Sequence, residues 1–354
     1  MSRSHRISVI AGDGIGLETV PAAIACLDVI ADRHDLRLEW EELPWGTDHF
    51  RRHGRMMPTD GLERITGTDA IFLGAVGDPE IPDAETLWGL LIPIRREFDQ
   101  YINLRPARSL PGVPSVLARD VPIDLVIVRE NTEGEYSSVG GRQGSGDHEI
   151  AIQSAVFSRR GVARVAGFAA RLARSRTGHL TSASKGNGII HTMPFWDEVV
   201  AEAVDGVEVR TVLVDALAAA LVLHPDRFDV IVASNLLGDI LSDLASAVTG
   251  SIGVAPSANL NPERRLPSMF EPVHGTAPDI AGQGLANPTG QIWSGALMLE
   301  HLGHPEAAAH LTRAFEHALA SGTRTRDLGG TATTSEFTAA VIAGIAATES
   351  ERAA

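Results

Sequence analysis

Two aspartates, Asp239 and Asp243, stand four residues apart in "NLLGDILSDLAS". That spacing sets them one turn above each other on a single face of a helix predicted over 236–248, with Asn235 as its cap. Like charges so placed repel, and Ile240, Leu241 and Leu244 flank them, so the face is not simply a wet one. A pair of solvated aspartates would explain the spacing; a shared cation would explain the setting as well. A third acid, Asp215, occupies a similar strand-to-helix position in "VEVRTVLVDALAAALV". Three carboxylates at strand ends suit a hard divalent ion, Mg²⁺ or Mn²⁺. Zinc finds no competing pattern, because Cys26 is the only cysteine and no HExxH spacing occurs.

The chain has one lysine, Lys185, among its 30 Lys and Arg residues. Where arginine serves wherever a fixed positive charge will do, a retained lysine marks a place where the two differ. They differ in that an ammonium can give up a proton and a guanidinium does not. Chance retention on the surface is the plain alternative. The setting "HLTSASKGNGIIHTMPFW" ends an expected strand and opens a Gly-rich turn into a helix. Three arginines, Arg95, Arg105 and Arg129, stand at element ends, where they could offer bidentate partners to two carboxylates. Each alone reads more readily as surface than as site; their value is that all three precede loops where a cleft could form. Tyr136, one of two tyrosines, lies in the polar, glycine-rich stretch 131–149, a loop or projecting arm. It is either a surface tyrosine or a proton donor facing a cleft.

The elements that must position these residues alternate. Strands are expected at 6–10, 70–73, 150–158 and 229–233, with helices at 17–33, about 87–101 and 161–175. Further helices are expected at about 290–302, 305–321 and 335–347. This is an α/β layer pattern with largely parallel pairing. Glycines 12, 14 and 16 follow the first strand but fall short of G-x-G-x-x-G, so a standard Rossmann site is disfavoured. The loop "TAPDIAGQGLANPTG", with His274 just before it, holds Asp279 and Asn287 and no Lys or Arg. An acid there can take ribose hydroxyls and would repel a 2′-phosphate, which favours NAD over NADP.

A length of 354 residues suggests two domains, and a net charge of −15 disfavours nucleic acid or an anionic membrane as partner. One cysteine excludes an intrachain disulfide framework. Neither a signal peptide nor a membrane span is evident, so a cytoplasmic location is the expectation.

The motifs "GDGIG", "IRREFDQYINLRPAR", "VREN", "EGEYSS", "SKGNG", "VDALAAALV", "NLLGDILSDLAS" and "EPVHGTAPDIAGQGLANP" together resemble the β-decarboxylating dehydrogenases. These are the isocitrate and isopropylmalate dehydrogenases, and the likeness covers nearly the whole chain. "LWG", "RREFDQY" and "MPFWDE" point to the branch acting on D-malate and tartrate. The resemblance implies an α/β two-domain fold, not a standard Rossmann fold. Its cofactor domain would be discontinuous, residues 1–100 plus 255–354. Residues 101–254 would form the substrate, metal and dimerisation domain, with an arm around 137–157.

The family pattern implies that Arg95, Arg105 and Arg129 hold the carboxylates of the malate core. It makes Asp215, Asp239 and Asp243 the metal ligands, with Lys185 and Tyr136 in acid–base roles. Ile15, His274, Gly275, Thr276, Ala277, Asp279, Ile280 and Asn287 would meet NAD. The NADP-using isocitrate enzymes carry a Lys-Tyr pair where this chain has Asp279-Ile280. Lys185 and Asp215 would reach the other subunit's site, which implies a homodimer with shared sites. Cofactors would be NAD and Mn²⁺ or Mg²⁺, with K⁺ a further candidate. Trp88, Leu91 and Ile92 would wall the pocket at substrate C3, where the isocitrate branch uses a serine and the isopropylmalate branch a smaller glutamate. The expected function is oxidation with decarboxylation of D-malate to pyruvate and CO₂, and/or oxidation of a tartrate to oxaloglycolate or its decarboxylation to glycerate. A 3-isopropylmalate dehydrogenase and a catalytically silent regulatory subunit are the alternatives.

Overall fold

Aliphatic and β-branched runs bounded by glycine loops fold here as buried strands between helices. The computed structural model describes residues 3–119 and 121–347. In chain order the strands are β1 (Arg3–Gly12), β2 (Leu36–Glu42), β3 (Ala70–Ala75), β4 (Ile102–Arg108), β5 (Asp124–Glu130) and β6 (Gly140–Gln143). They continue with β7 (Ile150–Gln153), β8 (His179–Ser184), β9 (Glu208–Leu213), β10 (Val230–Ala233), β11 (Pro256–Leu260) and β12 (Ser268–Pro272).

The chain divides into two compact units. One comprises Met1–Gln100, Ser109–Ala118 and Thr249–Ala354; the other comprises Tyr101–Arg108 and Arg119–Val248. In the first, the strands lie in the order β2-β1-β3-β12-β11, parallel except for the antiparallel β11–β12 pair. Every residue of β3 is buried, as expected of a parallel strand covered on both faces. Helices Gly16–Arg33 and Thr289–His301 pack on this sheet, and Pro305–Ala320 and Thr334–Ala347 pack on those helices and on each other. A hydrophobic core of this unit lies around Ile10, Ile71, Leu73, Ile94, Phe98 and Met269, and Leu91 belongs to it.

The expected helix over 87–101 differs in form. A short helical turn begins at Asp83, a π turn occupies Leu87–Leu91, and α-helix resumes over Ile92–Glu97. Pro93 has no N–H to return to the carbonyl of Gly89, and its ring would crowd that carbonyl in a regular turn. The wider π turn relieves both conflicts. Asp99 then takes a left-handed conformation at φ 44°, and the helix does not extend to Tyr101.

In the second unit the order is β4-β5-β10-β8-β9, with β4 antiparallel to β5 and the rest parallel. Helix Arg159–Ser175 covers β5, β10 and β8, starting from a true cap: Ser158 Oγ accepts from the N–H of Gly161 at 2.9 Å. The stretch 131–149 is not wholly loop, since β6 lies within it and pairs antiparallel with β7. Of the strand expected over 150–158 only Ile150–Gln153 forms, and both members of the ribbon are exposed along their length. Among the described residues no helix is long and apolar enough to cross a membrane.

Candidate active site

Four parallel strands of the second unit bring chemistry to one edge of their sheet. Arg129 is the penultimate residue of β5, Lys185 follows β8, and Asp215 lies in the first turn of helix Val214–Leu223 directly after β9. Helix Asn235–Val248, which carries Asp239 and Asp243, follows β10. The carboxyl ends of parallel strands are where open α/β sheets bind ligands. Arg105 comes from β4, paired opposite Ile127 of β5.

The structure joins five of the expected residues directly. Arg129 is buried, and its Nη1 is in close contact with Asp239 Oδ1. Tyr136 donates its hydroxyl hydrogen to Asp239 Oδ2 at 2.9 Å, and the Arg129 guanidinium lies 5.4 Å from the tyrosine ring centre. Arg105 Nη1 stands 3.3 Å from Asp239 Oδ1 and 3.2 Å from Asp243 Oδ1, and donates to Ser242 Oγ at 2.7 Å. Burial pushes the Asp243 carboxyl up from its ordinary range; Arg105 opposes this and Asp239 reinforces it.

Those distances test whether the donor set fits a divalent cation. One cationic nitrogen already draws an oxygen from each of two carboxylates on one helix face, so Asp239 and Asp243 can converge on one positive charge. The donors are all hard oxygens, which fits Mg²⁺ or Mn²⁺. The expected third ligand does not join them within the chain. Among the described residues no three His, Cys, Asp or Glu side chains gather into a metal site. Asp215 is instead largely exposed and accepts from Lys185 Nζ at 2.9 Å. The lysine holds the Asp215 carboxyl below its ordinary range.

Sequence reasoning missed the groups that hold this cluster in place. Asn235 does not cap its helix; its Oδ1 turns to Arg129, because a buried guanidinium is the more demanding partner. Glu135 supplies the cap from 101 residues away, accepting from the N–H of Leu236 at 3.0 Å and from Ser234 Oγ at 2.8 Å. Buried Glu130 accepts from both Thr132 and Glu133 N–H groups, and burial pushes its carboxyl up against those bonds. Three acids within "RENTEGEY" thus pin the loop that carries Tyr136, since Glu133 also accepts from Ser158 N–H at 2.8 Å. Nothing in local spacing separates these glutamates from solvent-facing ones.

In the first unit the glycine loop after β1 docks on the loop after β12. Ile15 N–H donates to the carbonyl of Thr276 at 2.9 Å, and a Cβ on Gly14 would stand 2.2 Å from that oxygen. Asp13, not singled out in the sequence, braces the loop by accepting from Thr47 N–H at 2.8 Å and Gly77 N–H at 3.0 Å. Ala277 takes a left-handed φ of 40° in the 274–280 loop, where Gly275 and Asp279 are exposed and Ile280 is part-buried. His274 Nε2 is buried with no hydrogen-bond partner among the described residues, and burial pushes the imidazole down toward its neutral form. An orphaned ring nitrogen beside exposed backbone fits the edge of a dinucleotide. Asn287 is already engaged: it donates to Asp327 Oδ2 at 3.0 Å and accepts from Thr289 N–H at 3.0 Å. Arg95 also has a partner, Glu271 Oε1 at 2.8 Å. Trp88 is 38% exposed beneath the Arg96 guanidinium, Ile92 is part-buried, and Leu91 faces the core and not a cleft.

The sequence pattern of the isocitrate/isopropylmalate dehydrogenase family matches residues 6–341. A probable tartrate dehydrogenase/decarboxylase of Bacillus subtilis strain 168 is 52% identical over 341 residues, covering 95% of this chain and 96% of that protein. The D-malate dehydrogenase (decarboxylating) of Escherichia coli K12 is 51% identical, covering 96% and 98%. The crystal structure of isocitrate dehydrogenase from Methylococcus capsulatus superposes with a TM-score of 0.88 at 32% identity, covering 96% of this chain and 99% of that one.

Proposed function

The chain belongs to the isocitrate/isopropylmalate dehydrogenase family, and from that premise we propose that it is an NAD-dependent, decarboxylating dehydrogenase of D-malate or a tartrate. The observation that carries this reading is the convergence of Arg105, Arg129 and Tyr136 on Asp239 and Asp243, with Lys185 beside Asp215. Two buried arginines suit a ligand with two carboxylates, and two carboxylates on one helix face suit a divalent cation.

Arg105 and Arg129, with Arg95, hold the substrate carboxylates. Asp239 and Asp243 hold the divalent ion, Mn²⁺ or Mg²⁺, completed by Asp215 of a second subunit; K⁺ would serve as an ancillary ion. When bound, the metal would supply Lewis acidity at the substrate's C2 oxygen and NAD would supply the hydride acceptor. Lys185 takes the proton from the C2 hydroxyl as the hydride leaves C2, giving the 2-oxo acid. The C3–carboxylate bond then breaks with loss of CO₂, its electron pair forming an enolate. Tyr136 returns a proton to C3, and D-malate ends as pyruvate. The first unit binds the cofactor, through Ile15 and residues of the 274–287 loop, with Asp279 on the adenosine ribose.

A homodimer with shared sites is supported by where the lysine pair lies. Among the described residues Asp215 does not join Asp239 and Asp243 in a three-acid group, and Lys185 is paired with Asp215. Apolar side chains stand exposed on the two helices concerned, Val222 and Leu223 on one, Leu236 and Ile240 on the other. Ile150 and Ile152 of the ribbon are exposed as well.

The test is to mix the protein with NAD, Mn²⁺ and D-malate, or a tartrate isomer, and follow NADH formation. Turnover abolished by EDTA is expected. No turnover with any member of the malate/tartrate group, or a preference for 3-isopropylmalate or isocitrate, overturns the reading.

A further inference from the structure

Arg129 is 2% exposed; Asp239 takes its Nη1, and the side chain of Asn235 grips the opposite edge of the guanidinium. Asn235 Oδ1 accepts from Arg129 Nε at 3.0 Å and from Nη2 at 2.7 Å. The other end of the amide, Nδ2, donates to the backbone carbonyl of Glu133 at 3.0 Å. Asn235 is itself 4% exposed and is the first residue of the helix that carries Asp239 and Asp243. Two glycines let the backbone pack closely on the stems of both side chains. A Cβ on Gly134, at φ +84°, would stand 3.3 Å from Asn235 Cβ. A Cβ on Gly238 would stand 2.7 Å from Arg129 Cβ and 2.8 Å from its Cγ, so the arginine stem lies directly against the helix.

A guanidinium is planar, and its bidentate match to a carboxylate depends on the tilt of that plane. Gripping the Nε edge from one oxygen fixes the tilt. Asparagine suits the position because its amide offers an acceptor to the guanidinium and a donor to the carbonyl together. Aspartate keeps only the acceptor, and leucine neither.

We propose that Asn235 is a positioning residue for the dehydrogenase reaction. It sets the plane of Arg129 for the substrate carboxylate and, through the Glu133 carbonyl, couples that plane to the loop that delivers Tyr136. This rests on the reading of Arg129 as a carboxylate partner.

The experiment measures kcat, the KM for D-malate, the KM for NAD and the thermal midpoint in four enzymes. These are the wild type, Asn235→Leu, Asn235→Asp and Arg129→Met, each assayed with NAD and Mn²⁺. Losing a hydrogen bond to a charged group should raise the D-malate KM of Asn235→Leu about tenfold or more, with a smaller fall in kcat and an unchanged KM for NAD. Asn235→Asp, which keeps the acceptor, should stay within about threefold of the wild-type D-malate KM. If the leucine variant does not fold, Asn235→Ala removes both contacts without adding bulk and is read the same way. Equal losses in the leucine and aspartate variants that follow the thermal midpoint, with an unchanged D-malate KM, overturn the proposal. A raised KM in Arg129→Met but not in Asn235→Leu overturns the positioning role alone. An unchanged KM in both overturns the reading of Arg129, and the inference falls with it.

Discussion

The Lys185 ammonium donates to the Asp215 carboxylate at 2.9 Å, joining the turn after β8 to the first turn of the helix after β9. The two residues come from neighbouring parallel strands, so the pairing follows from the β8–β9 register and needs no long-range loop. Lys185→Arg preserves the charge and its pairing with Asp215 but cannot accept a proton. The variant should fold and bind NAD while kcat falls by at least about a hundredfold, the scale of general-base catalysis. Near-normal turnover would remove Lys185 from the proton-transfer role.

Asp239 receives both Tyr136 and Arg129. Asp239→Asn keeps the shape but halves the acidic pair on the helix. The metal concentration for half-maximal activity should rise more than about tenfold, since even outer partners of metal ligands act on that scale. A titration of activity against Mn²⁺ reads this directly. An unshifted curve would assign the metal elsewhere.

Gly238 is the place where helix Asn235–Val248 meets the Arg129 stem. A Cβ there meets Cβ and Cγ, which cannot swing aside as a side-chain tip can. Gly238→Ala should therefore displace the guanidinium and raise the D-malate KM by about ten- to a hundredfold, the cost of a small misplacement in a preorganised site. The far-UV spectrum should be unchanged, since alanine favours the helix. A KM equal to the wild type would show that the stem can shift without consequence.

The site was only partly legible in the sequence. Asp239 and Asp243 could be paired because helical periodicity fixes their relation, and Lys185 stood out by being alone in its class. The alternation of strands and helices was legible for the same local reason. Glu135 was not, because its partners Ser234 and Leu236 are about a hundred residues away and the bond exists only once β5 and β10 are neighbours. Asn235 was misread as a cap because the local rule ranks asparagine highly there, and a buried arginine outcompeted the helix end. Leu91 was expected at a pocket wall, yet the π turn places it in the core. No spacing rule for a regular helix anticipates that rotation.

Trp88 lies in that π turn with Arg96 stacked 4.9 Å from its ring centre. The largest side chain available should leave little room for a branched group on substrate C3. Trp88→Ala should raise kcat/KM for 3-isopropylmalate relative to D-malate by about tenfold or more, the value of a few apolar groups newly accommodated. An unchanged ratio would dissociate Trp88 from specificity.

His301 supplies a pH dependence remote from the chemistry. Burial, and then the nearby Arg264 charge, push its imidazole down from 6.5 to about 4. The unfolded chain therefore binds this proton more readily than the folded one between those values, and stability falls as pH drops through that window. The contribution is on the order of 3 kcal/mol once the pH reaches the lower value. His301→Phe should flatten the decline of the thermal midpoint between neutral pH and that point. A parallel decline in both proteins would locate the acid sensitivity in other groups.

The solitary lysine at the end of β8 also gives the protein a built-in spectroscopic handle. Reductive methylation with isotopically labelled formaldehyde acts on primary amines, of which this chain has Lys185 and its α-amino group. The ammonium is part-exposed, hence within reach of the reagent, and the modification leaves its charge in place. A whole enzyme would then show one side-chain methyl resonance, located where the chemistry is proposed to occur. Its shift on adding Mg²⁺, and its paramagnetic broadening by Mn²⁺, would report on the distance between amine and cation without any turnover.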